Sequence, residues 1–148
     1  MPQALLGGAA TGAVIGTTQW LVLRRQWPID RWWIAATALG MSLGLGLSVG
    51  LLGINTSDNS LPLRGLITGL AIGIAQYVVL RRVSSHAPLW IITVALGWAL
   101  GWIITRAAGI DLSPNFSVFG STGAWGFQLL TGLALAWIMA NEQPGEAE

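Results

Sequence analysis

The chain has 148 residues, of which 53% are apolar and only 9% are charged, and its mean hydropathy is +0.65. A soluble domain carries about 25% charged residues, so this composition excludes a globule with a polar surface in water. The net charge is +1, and the basic residues occur in short pairs, without the basic stripe that binds nucleic acid. With no cysteine and one histidine, His86, the chain has no cluster of these residues for metal or haem, and the sequence features require no particular cofactor and identify none.

Charged residues divide the sequence into five apolar runs that are long enough to cross a membrane. A hydrocarbon core about 30 Å thick is crossed by roughly 20 apolar residues in a helix. The runs predict helices at about 4–24, 32–53, 62–80, 88–106 and 118–140, followed by an acidic tail at 141–148. We expect Arg64, at the start of the third run, to snorkel toward lipid headgroups. The sequence therefore predicts an all-α, polytopic transmembrane bundle of about five spans in a single membrane domain.

The chain contains a tandem repeat. The clearest match aligns QWLVLRR at 19–25 with QYVVLRR at 76–82. The same alignment, extended without a gap, places 8–48 on 65–105, and 17 of these 41 positions are identical, more than a shared apolar composition should give. Each repeat, at about 4–53 and 61–106, is predicted to form a helical hairpin, and the span at 118–140 follows as a single C-terminal helix. Since two crossings return the chain to its starting side, the tandem hairpins share one orientation.

The QWLVLRR-type segment, followed by tryptophan and a glycine-rich helix, resembles a group of small bacterial membrane proteins found among cyanobacteria and Chloroflexota. The resemblance covers both hairpins and, more weakly, the fifth helix. That group has no assigned activity, so the resemblance implies a topology and no functional residue.

The distribution of arginine predicts the orientation. Two connectors carry arginine pairs at 24–25 and 81–82, whereas Arg64 and Arg106 lie beside the opposite loops. Because connectors rich in arginine stay in the cytoplasm, we expect the N-terminus outside and the C-terminus inside a bacterial cytoplasmic or thylakoid membrane. The first helix lacks a basic segment before it and is expected to be retained.

Glycines recur at intervals of four residues and form small faces on several helices. Residues four apart lie on one side of a helix, and small residues there let two backbones approach closely. We expect these faces to pack helices together, within the chain or between copies in a homo-oligomer. The packing glycines are Gly8, Gly12, Gly16, Gly40, Gly44, Gly65, Gly69 and Gly73. The alternative is a groove for a flat apolar ligand, formed by Gly97, Trp98, Gly101 and Trp102.

Two glutamines are strongly polar residues inside the spans of the repeats. Each precedes an arginine pair by five residues, about 7.5 Å along a helix, so both lie beneath the headgroups rather than at the membrane centre. We expect either an interhelical hydrogen bond or, in an oligomer, a vestibule with an arginine-ringed mouth that favours anions. The six residues concerned are Gln19, Arg24, Arg25, Gln76, Arg81 and Arg82.

Aromatic residues near the arginine connectors are expected to anchor the spans at the membrane surface, since an indole has an apolar body and a polar N–H. His86, in the connector that follows the second arginine pair, is expected to be a solvated loop residue. The surface anchors are Trp20, Trp27, Trp32, Trp33, Tyr77 and Trp90.

Three classes of function fit these features. We prefer an accessory or structural protein that self-associates or packs within a larger membrane complex through its glycine faces. The alternatives are a small homo-oligomeric channel or transporter, and a membrane module that binds a pigment, quinone or lipid. Neither a Ser-His-Asp order nor paired carboxylates at membrane depth occur in the sequence, so we do not expect an enzyme. The lipid bilayer is the expected partner, and nucleic acid is not.

Overall fold

The structure is a computed structural model that describes residues 2–53, 60–109 and 121–141, and every regular element in those ranges is an α-helix. The helices are α1 (Pro2–Leu23), α2 (Trp32–Leu52), α3 (Leu61–Leu80), α4 (Ala87–Ala107) and α5 (Ser121–Asn141). Each has 20 to 22 residues, and all five are long and apolar enough to cross a membrane. The predicted all-α bundle is confirmed. Residues 118–120 of the predicted last span and residues 142–148 of the tail lie outside the described ranges.

Proline and glycine define several helix ends. Pro62 and Pro88 lie in the first turns of α3 and α4, where the backbone N–H that proline lacks would have had no partner in the helix. Helix α2 ends at Leu52 and is followed by Gly53, whose φ of +71° is in the left-handed region that glycine adopts without strain.

Large apolar side chains are exposed on every helix. They include Leu6 on α1, Leu51 on α2, Leu70 on α3, Ile92 on α4 and Leu133 on α5. Water would make such a surface unfavourable, whereas lipid chains are as apolar as these side chains. The outer surface therefore fits the predicted bilayer environment.

The helices pack in chain order, each against the next. Helix α3 lies between α2 and α4, and α3 and α4 are the most buried of the five, whereas α1 and α5 form the two ends of the row. No described Cα atom of α1 lies within 8 Å of one in α5. The end helices are thus separated by a cleft whose walls they both line.

The eight glycines predicted to pack all lie against a neighbouring helix of the same chain. A Cβ atom on Gly12 would stand 2.8 Å from the Cα atom of Ala38, and one on Gly69 would stand 2.7 Å from the carbonyl oxygen of Val94. A methyl group does not fit at such distances, so these helix pairs require glycine to approach as closely as they do. Gly8, Gly12 and Gly16 of α1 face α2, Gly40 and Gly44 of α2 face α3, and Gly65, Gly69 and Gly73 of α3 face α4.

Helix α5 packs on α4 as α3 packs on α2. The glycine pair that α2 presents to α3 recurs at the equivalent positions of the second repeat, as Gly97 and Gly101 of α4. A Cβ atom on Gly97 would lie 2.9 Å from the ring of Phe127, and Gly123 of α5 packs against the backbone of Gly101. The fifth helix therefore occupies, relative to the second hairpin, the place that α3 occupies relative to the first.

Arg64, which is predicted to snorkel toward the headgroups, reaches back from α3 to the end of α2. Its side chain is only 9% exposed, and Nη2 donates hydrogen bonds to the carbonyl oxygens of Leu52 at 3.3 Å and Gly53 at 2.6 Å. Carbonyl groups at the end of a helix have no partner in their own helix and carry a partial negative charge. The guanidinium group satisfies them, and it thereby ties the end of α2 to the start of α3.

Candidate functional site

A buried hydrogen-bonded network joins the two hairpins, with Gln76 at its centre. The amide oxygen of Gln76 accepts from Trp90 Nε1 at 2.8 Å, and its Nε2 donates to Gln19 Oε1 at 3.2 Å and to Thr37 Oγ1 at 2.9 Å. Trp33 Nε1 donates to Gln19 Oε1 at 3.1 Å. All but Gln19 are at most 1% exposed. Because buried polar groups are costly without partners, this network fixes the relative positions of the hairpins.

The two indoles determine which way both glutamine amides point. An indole N–H only donates, so the atom that it contacts on Gln19 and on Gln76 is the amide oxygen. Both Nε2 atoms then face away from the indoles. Nε2 of Gln76 has two acceptors, whereas Nε2 of Gln19 has none among the described residues. No buried side-chain nitrogen or oxygen lacks a partner in those residues, so Nε2 of Gln19 borders open space.

The indole-to-glutamine hydrogen bond occurs once in each hairpin, at equivalent positions of the two repeats. The rings of Trp33 and Trp90 lie 6.1 Å apart between centroids. The prediction that these two tryptophans anchor the spans at the membrane surface is wrong, because both are buried and donate to amides instead of to water. The sequence signal for this pairing was the equal separation of glutamine and tryptophan in both repeats.

Two cavities border the network in the cleft between α1 and α5. Their volumes are about 310 Å³ and 220 Å³, and both are lined by Thr18, Gln19 and Gln128. Most of the remaining wall is apolar, with Leu135 in the larger cavity and Phe127 in the smaller one. Among the described residues, no titratable side chain lines either cavity. The cleft is therefore an uncharged, mainly apolar space with a few hydrogen-bonding groups.

Gln128 is the residue of this site that sequence reasoning missed. It lies on α5, is exposed, and has no side-chain hydrogen bond to another described residue. The available signal was a glutamine inside an otherwise apolar span, the same feature that singles out Gln19 and Gln76. The hydroxyls of Thr18 and Thr131 donate to carbonyl oxygens of their own helices, each at 2.8 Å, and so present acceptor lone pairs to the cleft.

The arginine pairs lie apart from the glutamines. All four side chains are exposed, and none lines either cavity. The guanidinium of Arg24 lies 4.6 Å from the ring centre of Trp20, and that of Arg81 lies 6.0 Å from the ring centre of Tyr77. The positive charges are thus held over aromatic rings of their own helices, at equivalent positions of the two repeats. Arg25 and Arg82 follow them in the connectors.

The residues predicted to form an apolar groove on α4 are buried between helices. The side chain of Trp102 packs over Gly65 of α3 and that of Trp98 over Gly69, and the ring of Trp98 meets Phe127 edge-on at 5.9 Å. Gly97 and Gly101 are covered by α5. Of these four α4 residues, Trp98 borders the smaller cavity.

His86 is not an isolated loop residue. It precedes the first turn of α4, and its ring meets Trp137 of α5 edge-on at 5.4 Å. In the described ranges, no three residues of the types His, Cys, Asp and Glu come together as a metal site. His86 is therefore a contact between α4 and α5.

In the described ranges, the chain forms five helices fit for a membrane, with a polar-lined cleft in an otherwise apolar bundle. No protein-family model, curated protein or solved structure matches the chain. A function must therefore be argued from the geometry of the cleft and its surroundings.

Proposed function

We propose that the protein is a membrane-embedded binding module, without catalytic activity, that takes a neutral, lipid-soluble molecule into the cleft between α1 and α5. The observation that carries this proposal is the pair of cavities lined by Gln19 and Gln128. Sites for small molecules have volumes of a few hundred Å³, with mainly apolar walls and a few polar groups. A charged ligand fits poorly, because an unpaired charge in such surroundings is costly and the described lining of both cavities offers no counter-charge.

The other two expected functions have less support from the geometry. The accessory or homo-oligomeric role requires glycine faces that are free to pack against another chain. The eight named glycines already pack against helices of the same chain. The channel was argued from glutamines that share a vestibule with arginines. Those glutamines bond to tryptophans, and the arginines lie outside both cavities.

The binding module is proposed to lie in the bacterial cytoplasmic membrane, with the connectors at 24–31 and 81–86 on the cytoplasmic side. Their arginine pairs support this orientation. A reporter domain fused after Glu148 is expected to be cytoplasmic, and one inserted in the connector at 54–59 is expected to be external. The reverse pattern would contradict the proposed orientation.

The binding function is tested by filling the cavity at a glycine that has room for a side chain. Gly132 lines the larger cavity, and a Cβ atom there would meet nothing within 4 Å. We expect wild-type protein purified in mild detergent to retain a lipid-soluble molecule, and Gly132→Phe to retain about tenfold less, which corresponds to a loss of about 1.4 kcal/mol. The measurement is solvent extraction followed by mass spectrometry.

The matched control for this experiment is Gly7→Phe. Gly7 also has open space around its Cβ position, but it lines neither cavity. The control is expected to retain the molecule at the wild-type level. Equal retention by all three proteins, or no retained molecule in the wild type, would reject the cleft as a binding site.

A further inference from the structure

We infer that the ligand of the cleft carries a carbonyl oxygen, which accepts a hydrogen bond from Nε2 of Gln19. This inference rests on the proposed binding function and specifies the chemistry of the molecule bound. Gln19 and Gln76 occupy equivalent positions in the two repeats, but they differ in the acceptors available to their Nε2 atoms.

The orientation of the Gln19 amide is fixed from two sides. Trp33 Nε1 at 3.1 Å and Gln76 Nε2 at 3.2 Å both donate to its oxygen. Rotating the amide by half a turn would point N–H groups at both donors, so this rotation is excluded. The N–H groups of Gln19 therefore face the other way, toward the cavities that this residue lines.

The equivalent amide of Gln76 is saturated inside the protein. Its second acceptor is Thr37 Oγ1, and the residue equivalent to Thr37 in the second repeat is Val94, whose side chain has no acceptor. In addition, α2 packs on α3, whereas no described Cα atom of α1 lies within 8 Å of one in α4. The first hairpin therefore provides Gln76 Nε2 with an acceptor, Thr37 Oγ1, whereas the described residues of the second hairpin provide Gln19 Nε2 with none.

The lining selects the kind of acceptor. The described residues give neither cavity a titratable side chain, so a neutral acceptor fits this lining. A carbonyl oxygen accepts hydrogen bonds and brings no donor that would need a partner of its own in an apolar wall. Gln19 lies five residues before Arg24, about 7.5 Å along the helix, so the carbonyl lies at the connector end and the apolar remainder extends into the bundle.

Two sources of this chemistry are lipid-soluble: the ester carbonyl of a glycerolipid and the ring carbonyl of a quinone. Both place an uncharged oxygen acceptor at one end of a long apolar chain. Nε2 of Gln19 would donate to the carbonyl group that both share, and competition experiments distinguish the two sources.

The test uses a long-chain methyl ketone, 2-tridecanone, with ¹³C at the carbonyl carbon, and the hydrocarbon tridecane as its matched control. In wild-type protein, the infrared carbonyl stretch of the bound ketone is expected at lower wavenumber than in empty detergent micelles, because it accepts a hydrogen bond. An unshifted stretch for bound ketone in the wild type overturns the inference, independently of any variant.

The variant Gln19→Glu removes the donor and keeps the acceptor for Trp33 and Gln76. At alkaline pH the introduced carboxylate has no hydrogen to donate, and we expect ketone affinity to fall by about fivefold to tenfold while tridecane affinity stays unchanged. On acidification the carboxyl group gains an O–H, and affinity and stretch are expected to return toward the wild-type values. Since no titratable side chain in the described ranges lines either cavity, we expect the introduced carboxyl to be the group that titrates there.

The outcomes separate the two proposals. Ketone that binds Gln19→Glu at alkaline pH with wild-type affinity and the wild-type carbonyl stretch, yet is lost from Gly132→Phe, overturns the carbonyl inference and leaves the cleft as a binding site. Wild-type protein that binds neither ketone nor tridecane overturns the binding function itself. Displacement of the ketone by a diacylglycerol or by a decyl-substituted benzoquinone supports the inference and identifies the source of the carbonyl.

Discussion

Replacing Gly12 by leucine is expected to lower the free energy of unfolding by about 3 kcal/mol or more, because the new side chain has no space between α1 and α2. A Cβ atom at this position would stand 2.8 Å from the Cα atom of Ala38 and 2.8 Å from the carbonyl oxygen of Thr37. Both are backbone atoms, so they move only if the two helices separate. The measurement is unfolding of the purified protein in mixed micelles of increasing denaturing detergent, followed by circular dichroism.

The matched control for Gly12→Leu is the same change at Gly7, on the same helix. A Cβ atom at Gly7 would meet nothing within 4 Å, so Gly7→Leu is expected to change the free energy of unfolding by less than about 0.5 kcal/mol. The two variants share the helix, the added volume and the loss of glycine, and they differ in the surface that the side chain meets. Similar losses in both would contradict close packing of α1 on α2.

Replacing Gln76 by leucine is expected to lower the free energy of unfolding by about 2–4 kcal/mol, because one buried donor loses its acceptor and two further groups each lose one of their two hydrogen bonds. Trp90 Nε1 loses its acceptor, while Gln19 Oε1 and Thr37 Oγ1 lose a donor. A buried group without a partner costs about 1–3 kcal/mol, although single hydrogen bonds between membrane helices average about 0.6 kcal/mol. Unfolding in mixed micelles after removal of bound lipid measures the loss.

The comparison variant for Gln76→Leu is Gln128→Leu. Gln128 is exposed and has no side-chain hydrogen bond to the rest of the described chain, so its loss in ligand-free protein is expected to be close to zero. A Gln76→Leu protein as stable as Gln128→Leu would show that the network contributes little to folding.

The helices follow from the sequence because lipid permits few backbone structures. In a bilayer the backbone must satisfy its own hydrogen bonds, which selects helices even in a glycine-rich chain. Charged residues also indicate where some helices end: the predicted end of α1 at about 24 lies next to the observed end at Leu23. The length of each apolar run and the positions of the charged residues were sufficient to predict the five helices, because neither property depends on tertiary contacts.

The direction in which each side chain points does not follow from the sequence in the same way. A helix that faces lipid and a helix that faces other helices are both apolar, so hydropathy does not show which side is buried. Trp33 and Trp90 lie close to the arginine connectors, as surface anchors do, yet they point inward. Arg64 likewise turns toward the carbonyl groups that end α2. In both cases the decisive partner is on another helix.

The candidate site was only partly predictable. Gln19 and Gln76 stand out in the sequence as polar residues in apolar spans. Which of them keeps an N–H without an internal acceptor depends on the hydroxyl of Thr37 and on the gap between α1 and α5. These are properties of the packed helices, and the similar repeats would otherwise suggest that both glutamines do the same work.

The two glutamines occupy equivalent positions in the repeated hairpins, but their amide groups differ in the hydrogen bonds that they make inside the protein. In the second repeat, Gln76 has a structural role, because both its amide oxygen and its Nε2 atom form hydrogen bonds within the protein. In the first repeat, the hydrogen bonds of the Gln19 side chain engage its amide oxygen, and Nε2 has no acceptor among the described residues. Under the proposed binding function, a change at Gln76 is expected to alter folding stability, whereas a change at Gln19 is expected to alter ligand binding. The specificity of the cleft could then change through one repeat while the other preserves the fold.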